Sequence, residues 1–307
     1  MIINIDKPKD ATMKNLLAFI LLISTLNMFG QPKTESKLSS GYEELTAPDF
    51  VKAVQQASGV CLLPLGILEK HGPHLPLGTD IFECRKVAFT AAEQEYCIVF
   101  PTYFAGQINE AKHQPGTIAY SPELIWKILQ ETCEELSRNG LKKIVIVNGH
   151  GGNNDFLKYF CMSQLHSPKD YILVFFQPND SPEVLKKIET LRQTKTGGHA
   201  DEMETSMMQF IRPDLVKQEL AGTQSGINQA RLSELPYQYT GIWWYAQYPN
   251  HYAGDATKSS VPLGKLLVES DAQQLAQLVK KLKRSNKIEE LQNLFYKESG
   301  NPLNTKQ

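Results

Sequence analysis

Four short apolar runs, separated by stretches of helical periodicity, give this chain its frame. The runs cover residues 60–66, 97–104, 141–150 and 171–177, and the third holds an IVIV core of the kind found in strands covered on both faces. Between and around them lie amphipathic segments with recognisable starts. Thr46-Ala47-Pro48 opens a helix reaching Gln56, and Ser121, followed by Pro122 and Glu123, opens one reaching Ser137. IFECRKVAFTAAEQE after Asp80, residues 155–165, and the segment from Ser181-Pro182-Glu183 onward carry the same period. A last helix, from about Pro262 to Lys283, lines up Leu263, Leu266, Leu267, Leu275 and Leu278. This exchange of strand and helix predicts an α/β fold: a single domain over residues 43–290, with a mostly parallel sheet and helices on both faces. Ligands then belong at the carboxyl ends of the strands.

The two ends of the chain read differently. From Met13 the sequence runs MKNLLAFILLISTLNMFGQ, a lysine and a short apolar stretch followed by small and polar residues. That layout predicts a signal peptide within residues 1–30, with residues 1–12 an upstream extension if translation starts at Met13. The expectation is an exported protein, periplasmic or secreted, with no stable membrane association after export. Residues 31–42 are polar and read as a linker, and 291–307 as a C-terminal tail.

Composition narrows the partners. With 41% hydrophobic and 21% charged residues the chain is globular, and a formal net charge of -1 gives no support to a nucleic-acid partner. The basic run KKLKR at 280–284 fits a charged helix face. Five cysteines at wide spacings form neither a CxxC pair nor a disulfide framework and read as small buried hydrophobes.

Candidate chemistry gathers at three strand or helix junctions. CLLPLGILEKHGPHLPLGTD at 61–80 places Glu69, His71, His74 and Asp80 after the first strand, a carboxylate and imidazole set suited to Zn²⁺ or Mn²⁺. Asp80 could instead simply cap the helix that follows. NGHGGNN at 148–154 leaves the third strand and fixes His150 there, without the glycine spacing of a phosphate-binding loop. GGHADEMETSMMQFI at 197–211 offers His199, Asp201, Glu202 and Glu204. The three acids would also be stabilised simply by a first helical turn, and Glu202 and Glu204 do not share a helix face. His113 and His251 read as rim residues. Residues 217–261 are largely irregular, and their aromatics Trp243, Trp244, Tyr245, Tyr248 and Tyr252 suit a packed loop, an interface or a pocket wall.

Together these segments resemble the creatininase family of creatinine amidohydrolase-like metal hydrolases. The match lies in EKHGPHLPLGTD at 69–80, PGT at 115–117, NGHGGN and HADEMETS, and it covers most of residues 55–210. The resemblance implies a compact α/β subunit, a homohexamer, and two divalent ions per chain, Zn²⁺ or Mn²⁺ with Fe²⁺ as an alternative. It further implies that Glu69 and His150 serve one ion, His71 the other, and that Asp80 bridges them. Creatininase itself carries a glutamate two residues after the histidine of the NGH segment, where this chain has Gly152. Glu204 becomes the candidate to replace that ligand or to orient water, and His199 the candidate proton shuttle or the residue that orients Glu204. The implied activity is hydrolysis of a C–N bond in a small cyclic amide or formamide-type substrate. An exported binding protein without turnover, and a metal-assisted lactone or sugar hydrolase, are the rival functions.

Overall fold

Thr46 accepts a hydrogen bond from the Asp49 amide and starts helix α1, Ala47–Gln56, at the expected Thr46-Ala47-Pro48 corner. The computed structural model describes Met1 and residues 38–304, so the predicted signal peptide and most of the predicted linker lie outside the described residues. Strand β1, Val60–Leu65, follows and is buried at every position. Helix α2, Thr79–Gln94, leads to β2, Ile98–Val99, and α3, Pro122–Arg138, leads to β3, Lys143–Asn148. Helix α4, Asn154–Ser163, then leads to β4, Ile172–Phe175. The four strands form one parallel sheet in the order β2-β1-β3-β4.

Both faces of that sheet are covered, which accounts for apolar runs where a half-exposed sheet would alternate. Val60, Leu62, Val145 and Val147 pack with Cys84, Val87, Ala88 and Ala91 of α2. The opposite face carries Cys61, Leu63, Ile144 and Ile146, each fully buried, on the side of α3 and α4. Helix α5, Pro182–Leu191, is capped by Ser181. Strand β5, Gly197–His199, runs into α6, Glu202–Ile211, whose cap Asp201 accepts from the amides of Met203 and Glu204. After a long stretch with little regular structure come α7, Trp243–Gln247, and β6, Ala253–Gly254, which pairs antiparallel with β5. Helix α8, Val261–Arg284, lays Val268, Ala272, Leu275 and Val279 on the first face.

Two expectations need correction. The run 97–104 is a strand only at Ile98–Val99: the Phe100 amide still reaches the Leu62 carbonyl, but the next bond to β1, from Tyr103 to Pro64, comes one residue later than a regular ladder would place it. Asp80 is not a helix cap, because Gly78 holds that position and Asp80 is the second residue of α2. Helix α9, Lys287–Ser299, crosses from the expected domain into the segment read as a C-terminal tail, and it is anchored by Gln292 on the carbonyls of Lys169 and Tyr171 and by Tyr296 on those of Gln164 and Ser167.

The register sets the site. Leu65 pairs with Asn148, so the loops leaving β1 and β3 start side by side. A side chain at Gly149 would place its Cβ 2.3 Å from the Asp80 carbonyl, so glycine is needed for α2 to begin against the end of β3.

Candidate metal centre

Glu69 and His71 come from the loop after β1, Asp80 from the first turn of α2, His150 from the end of β3, and His199 from β5. All five are buried, Glu69 and His71 completely. Their oxygen and nitrogen atoms approach in two overlapping sets, Glu69 with His71 and His199, and Glu69 with Asp80 and His150, each within 4.8 Å.

The histidines share one design. His71 turns Nδ1 to the Glu69 carbonyl at 3.3 Å, His150 turns Nε2 to the Gln107 carbonyl at 2.9 Å, and His199 turns Nε2 to the Lys70 carbonyl at 2.8 Å. A carbonyl only accepts, so each of these nitrogens carries a proton, and the other nitrogen is the one that would turn its lone pair to a cation in the centre. Main-chain carbonyls used this way are the usual supports of metal-ligating imidazoles.

The carboxylates complete the set. Asp80 Oδ1 lies 2.8 Å from His71 Nε2, and Asp80 Oδ2 lies 3.3 Å from His150 Nδ1, so its two oxygens face different histidines. Glu69 Oε1 is 2.8 Å from His150 Nδ1 but out of line for a hydrogen bond, and both it and Asp80 Oδ2 are buried without a hydrogen-bond partner. Buried carboxylate oxygens without a hydrogen-bond partner are costly unless a cation joins them. Nitrogen and oxygen donors of this kind fit Zn²⁺ or Mn²⁺.

Electrostatics follow from the crowding. Burial pushes the Glu69 carboxyl up, but His150 and His199 outweigh it and hold the group well below its usual range. Burial opposes charging of His71 and His150, yet Asp80 and Glu69 overcome it, raising His71 to about 9 and His150 well above its usual value. His199 goes the other way, to about 3, chiefly because burial disfavours its cation.

Of the three acids at the start of α6, only Glu204 faces the centre. Asp201 is the cap, and Glu202 accepts from the amides of Gln193 and Thr194. Glu204 Oε2 accepts from the Ala200 amide and stands 4.0 Å from His71 Nε2 and 3.9 Å from His199 Nδ1. Burial, with Asp201 and Asp80, raises it to about 8 against the pull of His71. Position 152 is closed to a ligand, since a Cβ there would lie 2.4 Å from His150 Nε2.

His74 stands behind the cluster. Its Nε2 donates to Thr205 Oγ1 at 2.8 Å, and burial lowers its pKa to about 4. His113 is exposed, with Nε2 on the Pro249 carbonyl and its ring edge-on to Tyr245. His251 departs from its expected place on the rim. It is buried, and its Nε2 bonds Glu69 Oε2. No motif marks it. The only hint in the sequence is its place at the end of the aromatic segment, which the β5–β6 pairing carries to the centre. A cavity of about 570 Å3 is lined by Gln107, whose carbonyl holds His150, and by Glu110, His113, Tyr239, Trp243 and Tyr245, among others.

Comparison with known proteins places the chain in a family and a fold. The family model described as "Creatininase: Creatinine amidohydrolase" matches residues 43–279. A creatinine amidohydrolase of Pseudomonas putida is 27% identical over 189 residues, spanning 56% of this chain and 72% of that protein. A mycofactocin precursor peptide peptidase of Mycolicibacterium smegmatis is 31% identical over 159 residues, spanning 50% of this chain and 58% of that protein. In structure, a creatininase variant of Zn–Zn type superposes with a TM-score of 0.68 at 22% identity, covering 81% of this chain and 100% of its own. A manganese creatininase superposes with a TM-score of 0.67 at 22% identity, covering 80% of this chain and 100% of its own.

Proposed function

The chain belongs to the creatininase family, and we propose that it is a dinuclear metal-dependent amidohydrolase that cleaves a C–N bond in a small cyclic amide or formamide-type substrate. The observation that carries this reading is Asp80, whose two oxygens face His71 and His150 separately while Oδ2 and Glu69 Oε1 lack hydrogen-bond partners. Asp80 would bridge, with Glu69 and His150 on one ion and His71 on the other. When bound, two such cations would lower the pKa of a shared water and polarise the substrate carbonyl. The relatives support the amide class, since one is named for creatinine and another for a peptide. The Zn–Zn and manganese creatininases support Zn²⁺ or Mn²⁺ as the ions.

The remaining residues handle protons and shape. His199 gives its Nε2 proton to the Lys70 carbonyl and keeps a lone pair on Nδ1, facing Glu204 Oε2 at 3.9 Å. One water between these atoms would relay a proton toward a leaving nitrogen, a role worth about 10²–10⁴-fold in rate. The aromatic wall of Tyr239, Trp243 and Tyr245 suits a flat, ring-bearing amide. We further propose export, from the pattern of residues 13–31, and a homohexamer, from family membership.

Metal content and turnover of a panel of lactams, creatinine and formamides test the reading together. Two Zn²⁺ or Mn²⁺ per chain, with hydrolysis abolished by chelator and restored by metal, is the expected result. Two ions retained by Asp80→Ala, or equal inactivity of loaded and stripped protein across the panel, would overturn it.

A further inference from the structure

We propose that Trp244 and His251 form a fixed hydrogen-bonded pair that aims Glu69 at the metal centre, a positioning role that rests on the metal-centre reading above. Donor chemistry sets the direction of each bond. An indole N–H can only donate, and that of Trp244 meets His251 Nδ1 at 2.9 Å. Nδ1 must therefore offer its lone pair, which leaves the ring proton on Nε2. That proton is directed at Glu69 Oε2. The other oxygen of Glu69, Oε1, faces His150 Nδ1 at 2.8 Å. One oxygen is thus held from behind and the other is left for a cation, the way outer partners fix a ligating carboxylate. Both nitrogens of His251 are committed, so its own ring has no lone pair left for a metal.

The local fold holds His251 to this task. Its backbone is left-handed, with φ of 52°, a conformation that residues other than glycine seldom adopt. The turn is tied at both ends: the His251 amide donates to the Tyr248 carbonyl at 2.9 Å, and its carbonyl accepts from Gly72 at 3.3 Å, beside His71. Trp244 is seated against Tyr248, with ring centroids 4.8 Å apart, and stands edge-on to His199 at 5.9 Å. The aromatic segment thereby does more than line a cavity. Through one indole and one imidazole it reaches a ligand 182 positions away in the chain.

Four proteins test the pair: wild type, His251→Leu, His251→Gln and Trp244→Phe. Glutamine can accept from the indole and donate to Glu69, leucine can do neither, and phenylalanine removes only the indole N–H. Zn²⁺ affinity is read by competition with a chromogenic chelator, and circular dichroism of the metal-free proteins checks the fold. His251→Leu is expected to lose about 10–100-fold in affinity, His251→Gln to recover most of it, and Trp244→Phe to fall between. The ¹⁵N shifts of His251 in the metal-free wild type should report the Nε2–H tautomer. Equal affinity of wild type and His251→Leu would overturn the pairing, and so would an equal loss in the leucine and glutamine variants, which marks simple packing. If His251→Leu does not fold, an Nδ1–H tautomer in the wild type overturns the proposal by itself. A wild type that binds no Zn²⁺ removes the metal-centre reading and the positioning role together.

Discussion

Three imidazoles, each with one N–H tied to a main-chain carbonyl, make the centre sensitive to small displacements, and position 152 shows how small. A Cβ there would meet His150 Nε2 at 2.4 Å and Glu110 Oε1 at 3.2 Å, and the ring cannot retreat without leaving the Gln107 carbonyl. Gly152→Ala should therefore weaken Zn²⁺ binding by about tenfold or more, with circular dichroism unchanged; unaltered affinity would show that His150 is free to move. Asp271 on α8 makes a separate prediction. Burial, with the neighbouring Asp180 carboxylate, raises it to about 7, and its own charge helps raise buried Glu83 well above the usual carboxylate range. A carboxyl with a raised folded pKa contributes its full stability below its unfolded value near 4 and loses it as pH climbs through about 7. Asp271→Asn should accordingly melt higher than wild type at pH 8, and the gap should close by pH 4. At this scale the sequence was informative where members of the buried cluster sit in dense motifs, as with Glu69, His71, Asp80 and His150. It was silent on His251, because a lone histidine after a Pro-Asn turn carries no spacing signal and acquires its partner only when β6 pairs with β5.

Helix α6 meets α8 so closely that a Cβ on Gly264 would lie 1.8 Å from the Ser206 carbonyl. The same serine caps the contact, as its hydroxyl accepts from the Ser260 amide at 2.8 Å and donates to the Glu202 carbonyl. Gly264→Ala should push the two helices apart and destabilise the protein by about 1–3 kcal/mol, read as a lower thermal midpoint. Because α6 carries Glu204 and its cap Asp201, the displacement should also weaken catalysis; an alanine variant that melts like wild type would mean the crossing is looser than this. Helix starts were legible because capping is local chemistry: Thr46, Ser121 and Ser181 each cap the helix expected of them. The extent of β2 was not legible, because the apolar run 97–104 is continuous while the hydrogen bonds to β1 slip by one residue between Phe100 and Tyr103. Likewise α9 exposes Leu291, Leu294 and Phe295, a pattern too weak to separate from a tail by periodicity.

For the molecule as a whole, the centre is where distant parts of the chain converge: the ends of β1 and β3, the start of α2, the β5–α6 junction and the turn at His251. None of these segments is joined to the others there by apolar packing alone. Buried carboxylates and imidazoles occupy the junction, and two of their oxygens lack partners. Such a junction is costly in the metal-free protein, and a bound cation would convert it into a cross-link between segments far apart in sequence. Metal should then act as a stabiliser of the fold as well as a catalyst. Zn²⁺ at a thousand times its dissociation constant adds about 4 kcal/mol per site, which for a domain of this size corresponds to a rise of roughly 10 °C in the melting midpoint. A calorimetric scan with and without metal should show that rise, chelator should reverse it, and Asp80→Ala, which removes the oxygens facing His71 and His150, should abolish most of it. If wild type and Asp80→Ala gain equally, the stabilising metal sits elsewhere on the protein and the convergence at Asp80 is not the binding site.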